Sequence, residues 1–303
     1  MKNLEFKKID AFTKGLSSGN PAGYVLLETA DQLTEDEMQK MASELKGYVN
    51  EVGFVFRQGK TFELKFYSSE CEVAFCGHAT IAIMYDVIST DPELMHEKEL
   101  KIKVKSGILS VFNHIEEEDA VYIMAPEPQF LEREVNWFEI AEALDTDMSS
   151  FDKDKLFQVV DGGLRTLLVP MISLEACLKI NPYQEILKQF CLKKDIDIVL
   201  VFTQEVHTKK ASYRTRVFAP KFGYLEDPAT GSGNSAFGYY LVHNKLWQED
   251  FSIEQSATLN NPNSVKIKRY QKEQMDRILF GGSGTTRIAG RYYLQEASDP
   301  LLL

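Results

Sequence analysis

A strand, a polar turn, a second strand, a glycine-containing loop and an apolar helix occur in that order twice along these 303 residues. In the first copy Val52–Phe56 reads as a strand, Gln58-Gly59-Lys60 as a turn and Thr61–Phe66 as an alternating strand. Cys76-Gly77-His78 then opens the apolar run Ala79–Ile88, which reads as a buried helix. In the second copy Ile196–Thr203 and Ser212–Phe218 are the strands, and Gly231-Ser232-Gly233 opens the helix Ser235–Val242. Phe66 to Gly77 spans eleven positions and Val217 to Gly231 fourteen, so the second loop is longer by about the length of Asp227-Pro228-Ala229. A correspondence so close to half the chain length implies an internal duplication, and with it two similar α/β halves.

Two cores of about 150 residues each also suit a chain of this length. The boundary is expected near Ala125-Pro126-Glu127-Pro128, giving domains 1–125 and 126–285, with a final strand near 286–303 returning to the first. A strand at Phe6–Phe12, a loop at Gly15–Pro21 and a strand at Tyr24–Leu27 precede the first copy. Thr34 and Glu37 form a T-x-x-E capping box before a helix that turns Met38, Met41, Ala42 and Leu45 to one side. Further helices are expected at Val135–Leu144 and at Tyr183–Phe190, the latter with Asn181 as N-cap and Pro182 as first residue. Gly281-Gly282-Ser283-Gly284 reads as a hairpin turn, and Glu116-Glu117-Glu118-Asp119 as a solvated hairpin tip. A ligand is expected between the halves, where pockets prefer to form.

The net charge of −11, from 45 acidic and 34 basic residues without a basic block, argues against nucleic acid or an anionic membrane as partner. No apolar run reaches the roughly 18 residues of a membrane span, and Met1–Phe12 lacks the apolar core of a signal peptide, so a cytoplasmic location is expected. Cys71, Cys76, Cys177 and Cys191 are too scattered for a disulfide framework and are read as thiols.

The residues that can carry chemistry cluster at the two glycine-rich helix starts. A helix N-terminus presents unpaired N–H groups and partial positive charge to a carboxylate or oxyanion, and glycine lets the two approach closely; tight loop-to-helix turns would also ask for glycine. Glu51, at the mouth of a very apolar strand, has the setting of a general base, although a strand-end carboxylate on the surface would look the same. His78 can shuttle protons near neutrality or simply cap its helix. Asp227 precedes Pro228, as turn aspartates do. Ser232 can donate a hydrogen bond, but the strand-to-helix elbow of a nucleophilic serine is absent. Cys71-x4-Cys76-x-His78 offers metal donors, yet Cys177 and Cys191 are far away and no second cluster completes a tetrahedral set, so no metal is expected. Gly231-x-Gly233-x-x-Ala236 matches a dinucleotide fingerprint in letters, but Glu226-Asp227-Pro228 stands where a strand should run into the first glycine.

Four segments carry a resemblance that spans nearly the whole chain: Ser18-Gly19-Asn20-Pro21-Ala22, Asn50-Glu51-Val52-Gly53-Phe54-Val55, Phe75-Cys76-Gly77-His78-Ala79-Thr80, and Arg216-Val217-Phe218 with Glu226-Asp227-Pro228-Ala229-Thr230-Gly231-Ser232. In these the chain resembles the PhzF-like isomerases, named for phenazine biosynthesis and similar in fold to diaminopimelate epimerases. The resemblance implies an α+β fold of two pseudo-symmetric domains, each a curved mixed sheet around a central helix. It implies Glu51 as the catalytic glutamate, His78, Asp227 and Ser232 as its companions, and Asn20, Gly77, Gly231 and Gly233 as substrate-binding positions. Related epimerases oppose two cysteines; here Cys76 takes one such place and the second loop has none, which argues against a two-thiol racemase. Val52-Gly53 and Gly233-Asn234 depart from the usual pattern and bear on substrate shape.

The implied activity is isomerisation of a small carboxylic acid or amino-acid derivative without cofactor, by removal and return of a carbon-bound proton, in a homodimer. Two other classes stand beside it: a small-acid binding protein on the same fold, and a nucleotide-dependent oxidoreductase.

Overall fold

The structure is a computed structural model that describes residues 1–272 and 275–295. It divides into two compact units, one of residues 1–11, 21–121 and the described residues from 283 on, the other of residues 12–20 and 122–282.

In the first unit, Gly284–Leu294 pairs antiparallel with Lys2–Ala11, which in turn pairs with Asn20–Leu27. From there the sheet runs through Glu51–Gln58 (parallel), Thr61–Ser68 (antiparallel), Glu99–Val104 (parallel) and Gly107–His114 (antiparallel). The helix Gly77–Thr90 buries residues on every side and packs on Lys2–Ala11, Glu51–Gln58 and Gly284–Leu294. A helix that is apolar all round needs cover all round, and this curved sheet supplies it. Its buried Asp86 accepts hydrogen bonds from Lys7 (2.7 Å), Tyr24 (2.6 Å) and Thr286 (2.6 Å). Burial opposes ionisation there, but these three donors outweigh it and hold the carboxyl below its usual range. The expected capping box of Thr34 and Glu37 is present on the helix Glu35–Glu44, whose Met38, Met41 and Ala42 cover the outer face of the same sheet.

The second unit repeats the pattern. Gln129–Leu131, Gln158–Asp161 and Arg165–Pro170 are antiparallel neighbours, followed by Ile198–Thr203 (parallel), Tyr213–Phe218 (antiparallel), Phe251–Gln255 (parallel) and Asn263–Lys272 (antiparallel). Met275–Gly282 pairs in turn with Asn263–Lys272. The buried helix Gly231–His243 packs on this sheet, and the helices Trp137–Leu144 and Gln184–Lys194 contribute to a separate core around Ile140, Leu144, Leu187 and Val199. The parallel, antiparallel, parallel, antiparallel sequence is the same in both units, so the duplication is one of register as well as of element order.

Register also locates the extra length of the second loop. The two-residue strand Glu72–Val73 pairs Val73 with Phe66, and Glu226–Asp227 pairs Asp227 with Val217. Val73 to Gly77 and Asp227 to Gly231 are then equally long, and the extra residues lie before Glu226, around the tight turn Pro220–Phe222. By the same alignment Thr230 is the counterpart of Cys76 and Ser232 of His78. Gly53 opposite Phe66 and Leu200 opposite Val217 make Ile198 the counterpart of Glu51.

Three other expectations change. The helix Gln184–Lys194 starts after Tyr183, whose backbone is extended, so Asn181 and Pro182 lie in the approach to it. The acidic cluster folds as one helical turn, Ile115–Glu118, closed by Asp119 at φ 53°. Gly282 and Gly284 flank Ser283 between two strands with different partners, and no hairpin forms. A Cβ on Gly282 would lie 2.9 Å from the Phe12 ring and 3.1 Å from the Ser264 carbonyl, so glycine there answers a close approach of chains. Residues 296–303 of the expected closing strand lie outside the described residues. Among the described residues no helix is long and apolar enough to cross a membrane.

Candidate active site

Glu51 is the first residue of its strand, opposite Ala22 on one side and Ser68 on the other. Cys76 is the N-cap of the first unit's central helix and His78 its second residue. Glu51 Oε2 lies 3.2 Å from His78 Nε2, and Cys76 Sγ lies 3.5 Å from His78 Nδ1. Both side chains of the Glu51–His78 pair are mostly buried, 21% and 13% exposed. Glu51 Oε2 is fully covered and has no aligned hydrogen-bond donor, so the contact with His78 is electrostatic and one carboxylate lone pair is left unused. Burial works against a charged imidazole, but the neighbouring Cys76 sulfur and the Glu51 carboxylate outweigh it and hold His78 well above its usual range. Burial pushes the Cys76 thiol up. The three donor atoms of Glu51, Cys76 and His78 lie within 4.8 Å of one another.

In the second unit Asp227 is tied down on both oxygens. Asn20 Nδ2 donates to Oδ1 at 2.7 Å and Thr230 Oγ1 to Oδ2 at 2.8 Å. Asn20 Nδ2 also reaches the Ala229 carbonyl, Gln255 Nε2 the Asp227 carbonyl and Asn263 Nδ2 the Pro228 carbonyl. The Asn20 side-chain carbonyl is buried without a partner. Beneath this loop Arg216 holds Glu226 through two bonds of 3.0 and 2.8 Å, while its remaining nitrogen donates to the Cys177, Leu178 and Ile180 carbonyls. Sequence reasoning passed over Gln255 and Asn263 and assigned Arg216 no role. The available signal was a pair of arginines, Arg214 and Arg216, at alternate positions of a strand that is otherwise core.

Ser232 is half-buried in the first turn of the second central helix, where its carbonyl accepts from Ser235 Oγ. Neither central helix has an N-cap side chain bonded to its first-turn amides, and His78 turns its ring to Glu51 and Cys76 instead of capping. Gly77 and Gly231 are the first residues of these helices. A Cβ on Gly231 would meet the Phe280 ring at 2.3 Å, and one on Gly233 would meet Ile198 Cδ1 at 3.1 Å. Packing therefore accounts for both glycines, and what they offer a ligand is backbone N–H. The departure at Gly53 is also packing, since its Cβ would lie 2.4 Å from Ile83 Cδ1 of the central helix. Asn234 is fully buried and binds the Thr230 carbonyl and Gln255 Oε1, so that departure secures the Asp227 loop from below. No strand runs into Gly231 apart from the two-residue Glu226–Asp227, so the setting of a dinucleotide fingerprint is missing among the described residues.

A family model described as phenazine biosynthesis-like protein, PhzC-PhzF, matches residues 9–290. The chain is 32% identical to the Bacillus subtilis protein named "Uncharacterized isomerase YfhB" over 88% of its own length and 91% of that protein. It is 30% identical to the Clostridium acetobutylicum protein named "Uncharacterized isomerase CA_C3446" over 93% and 96% of the two chains. Among solved structures, the Bacillus anthracis phenazine biosynthesis protein of the PhzF family superposes with a TM-score of 0.82 at 24% identity, covering 97% of this chain and 100% of that one. A hydroxyproline epimerase from Agrobacterium vitis, solved with trans-4-hydroxy-L-proline, superposes with a TM-score of 0.60 at 12% identity, covering 99% and 94%. The last two likenesses concern the fold, the one sequence reasoning expected. With the family model across the chain and relatives named isomerases, the chain belongs to the phenazine biosynthesis-like PhzC-PhzF family and is an isomerase of that family.

Proposed function

We propose that this protein isomerises a small carboxylic acid or amino-acid derivative without a cofactor, with Glu51 removing a carbon-bound proton and returning it at another position. The observation that carries the reading is the covered, unbonded oxygen of Glu51 beside His78 at the start of a central helix. A carboxylate lone pair that no donor occupies is ready to take a proton, and a neighbouring imidazolium supplies the compensating charge. His78 is a proton donor in reach of Glu51, and the first-turn amides at Gly77 suit a substrate carboxylate and the charge that develops on it. In this reading Asp227 and Ser232 remain catalytic companions and Asn20 a substrate-binding position, with the loop that carries Asp227 secured by Gln255, Asn263 and, through Glu226, Arg216.

The counterparts favour a carboxylate mechanism over a pair of opposed thiols. Cys76 is matched by Thr230, whose hydroxyl donates to Asp227, and Glu51 by the apolar Ile198. The glutamate proposed to move the proton thereby has no carboxylate counterpart in the other half of the duplication. This reading retains a homodimeric, cytoplasmic enzyme, and light scattering during gel filtration checks the dimer.

The experiment that tests it does not require the product in advance. The protein is incubated in heavy water with a panel of small unsaturated, amino and aromatic acids and followed by NMR and mass spectrometry. Wild type places deuterium on carbon in one of them, or converts it, without added metal or nucleotide, and Glu51→Gln does neither. Binding of a panel member with neither exchange nor conversion would replace the isomerase by a binding protein.

A further inference from the structure

We infer that Glu51, Cys76 and His78 form an open, three-ligand site for a borderline-soft divalent cation, with zinc the best match. The three residues supply a sulfur, an imidazole nitrogen and a carboxylate oxygen, which is a zinc donor set and a poor one for magnesium or calcium. Their donor atoms lie within 4.8 Å of one another, with Glu51 Oε2 3.2 Å and Cys76 Sγ 4.0 Å from His78 Nε2. Around a tetrahedral zinc, bonds of about 2.0 Å to nitrogen or oxygen and about 2.3 Å to sulfur separate the donors by roughly 3.3–3.6 Å. Small side-chain rotations therefore close the set without moving the backbone.

Regular structure fixes where each ligand starts: a strand's first residue, a helix N-cap and the second residue of that helix. The buried Glu51 oxygen points the same way, because an acceptor out of water without a donor is costly and a cation would relieve it. Sequence reasoning sought the missing ligand among Cys177 and Cys191, which are buried in another core; the carboxylate of Glu51 takes the place they were to fill. Three protein ligands leave a fourth position for water. Coordination releases the thiol proton of Cys76 and the imidazolium proton of His78 to solvent.

The consequence for turnover rests on the proposed function: a cation here occupies the lone pair that Glu51 needs, so zinc would inhibit. Binding itself is read without substrate. Protein freed of metal with a chelator is titrated with cobalt(II) for the thiolate-to-metal charge-transfer band, and with zinc against a chromophoric chelator for stoichiometry. The expected result is one equivalent bound with a strong band. Cys76→Ser should abolish the band, and Glu51→Gln and His78→Gln should each weaken zinc by about tenfold or more, at least the loss caused by removing an outer-shell partner. Cys71→Ser, at the exposed cysteine, should change neither. Circular dichroism confirms that each variant is folded, and Cys76→Ala replaces Cys76→Ser if the latter is not. A band that survives loss of Cys76, zinc affinity indifferent to Glu51 and His78, or no stoichiometric binding overturns the site. Deuterium exchange in metal-free protein is independent of all of these, so failure of the metal site and failure of the isomerase reading are told apart.

Discussion

Glu51 stands where the other half of the duplication has Ile198, and Cys76 where it has Thr230, so the proposed chemistry rests on a few substitutions between otherwise parallel halves. Glu51→Gln keeps volume and removes the proton acceptor; turnover should be largely lost while thermal stability moves by less than about 1 kcal/mol. Near-normal turnover in this variant would remove Glu51 from the mechanism. Cys76→Ala in metal-free protein should stay within about tenfold of wild-type turnover, some 1.4 kcal/mol of barrier, because burial pushes this thiol up and disfavours the thiolate that a base would need. Inactivity in a folded Cys76→Ala would bring thiol chemistry back.

The central helices owe their positions to glycines that leave no room for a side chain. Gly231→Ala would drive a methyl group into the Phe280 ring, and a flat ring packed in a core cannot step aside as the end of Ile83 can for Gly53→Ala. Gly231→Ala should thus destabilise by about 1–3 kcal/mol, more than Gly53→Ala, although alanine is the better helix former; urea midpoints of the two variants rank them. Elements set by local chemistry were legible in the sequence. Thr34 with Glu37 determines a helix start within four residues, and the apolar runs after Gly77 and Gly231 announce buried helices. Features set by pairing were not. The letters give only the second loop's extra length, and the pairing of Asp227 with Val217 shows that the added residues lie before Glu226. Glu51 was picked out at a strand mouth, but its meeting with His78 and Cys76 depends on which strand the central helix packs against, and periodicity does not record that.

At the scale of the whole molecule, each unit has its own charged anchor. In the second, Asp197 accepts from Arg165 through the backbone N–H, Nε and Nη2 at 3.0, 2.9 and 2.8 Å, and from Lys221 at 2.7 Å. Burial resists the charge, but Arg165 and Lys221 prevail and hold this carboxyl well below its usual range. A depressed value means that the unfolded chain takes up the proton first. The stabilisation is therefore complete above about pH 3.9, the unfolded value of an aspartate, and fades as the pH falls toward the folded one. Asp197→Asn should lower the urea midpoint at pH 7 and narrow its difference from wild type near pH 3; equal gaps at both would assign the acid sensitivity to other groups. The first unit is joined differently, by Gly284–Leu294 lying along Lys2–Ala11. During synthesis Lys2–Ala11 can meet Asn20–Leu27 early but must wait for nearly the whole chain before Gly284–Leu294 follows, whereas residues 12–20 and 122–282 of the second unit are complete earlier. The half that carries Glu51 is consequently the last to close, and a nascent chain halted before residue 284 has the residues proposed to transfer the proton in hand with no finished sheet to hold them.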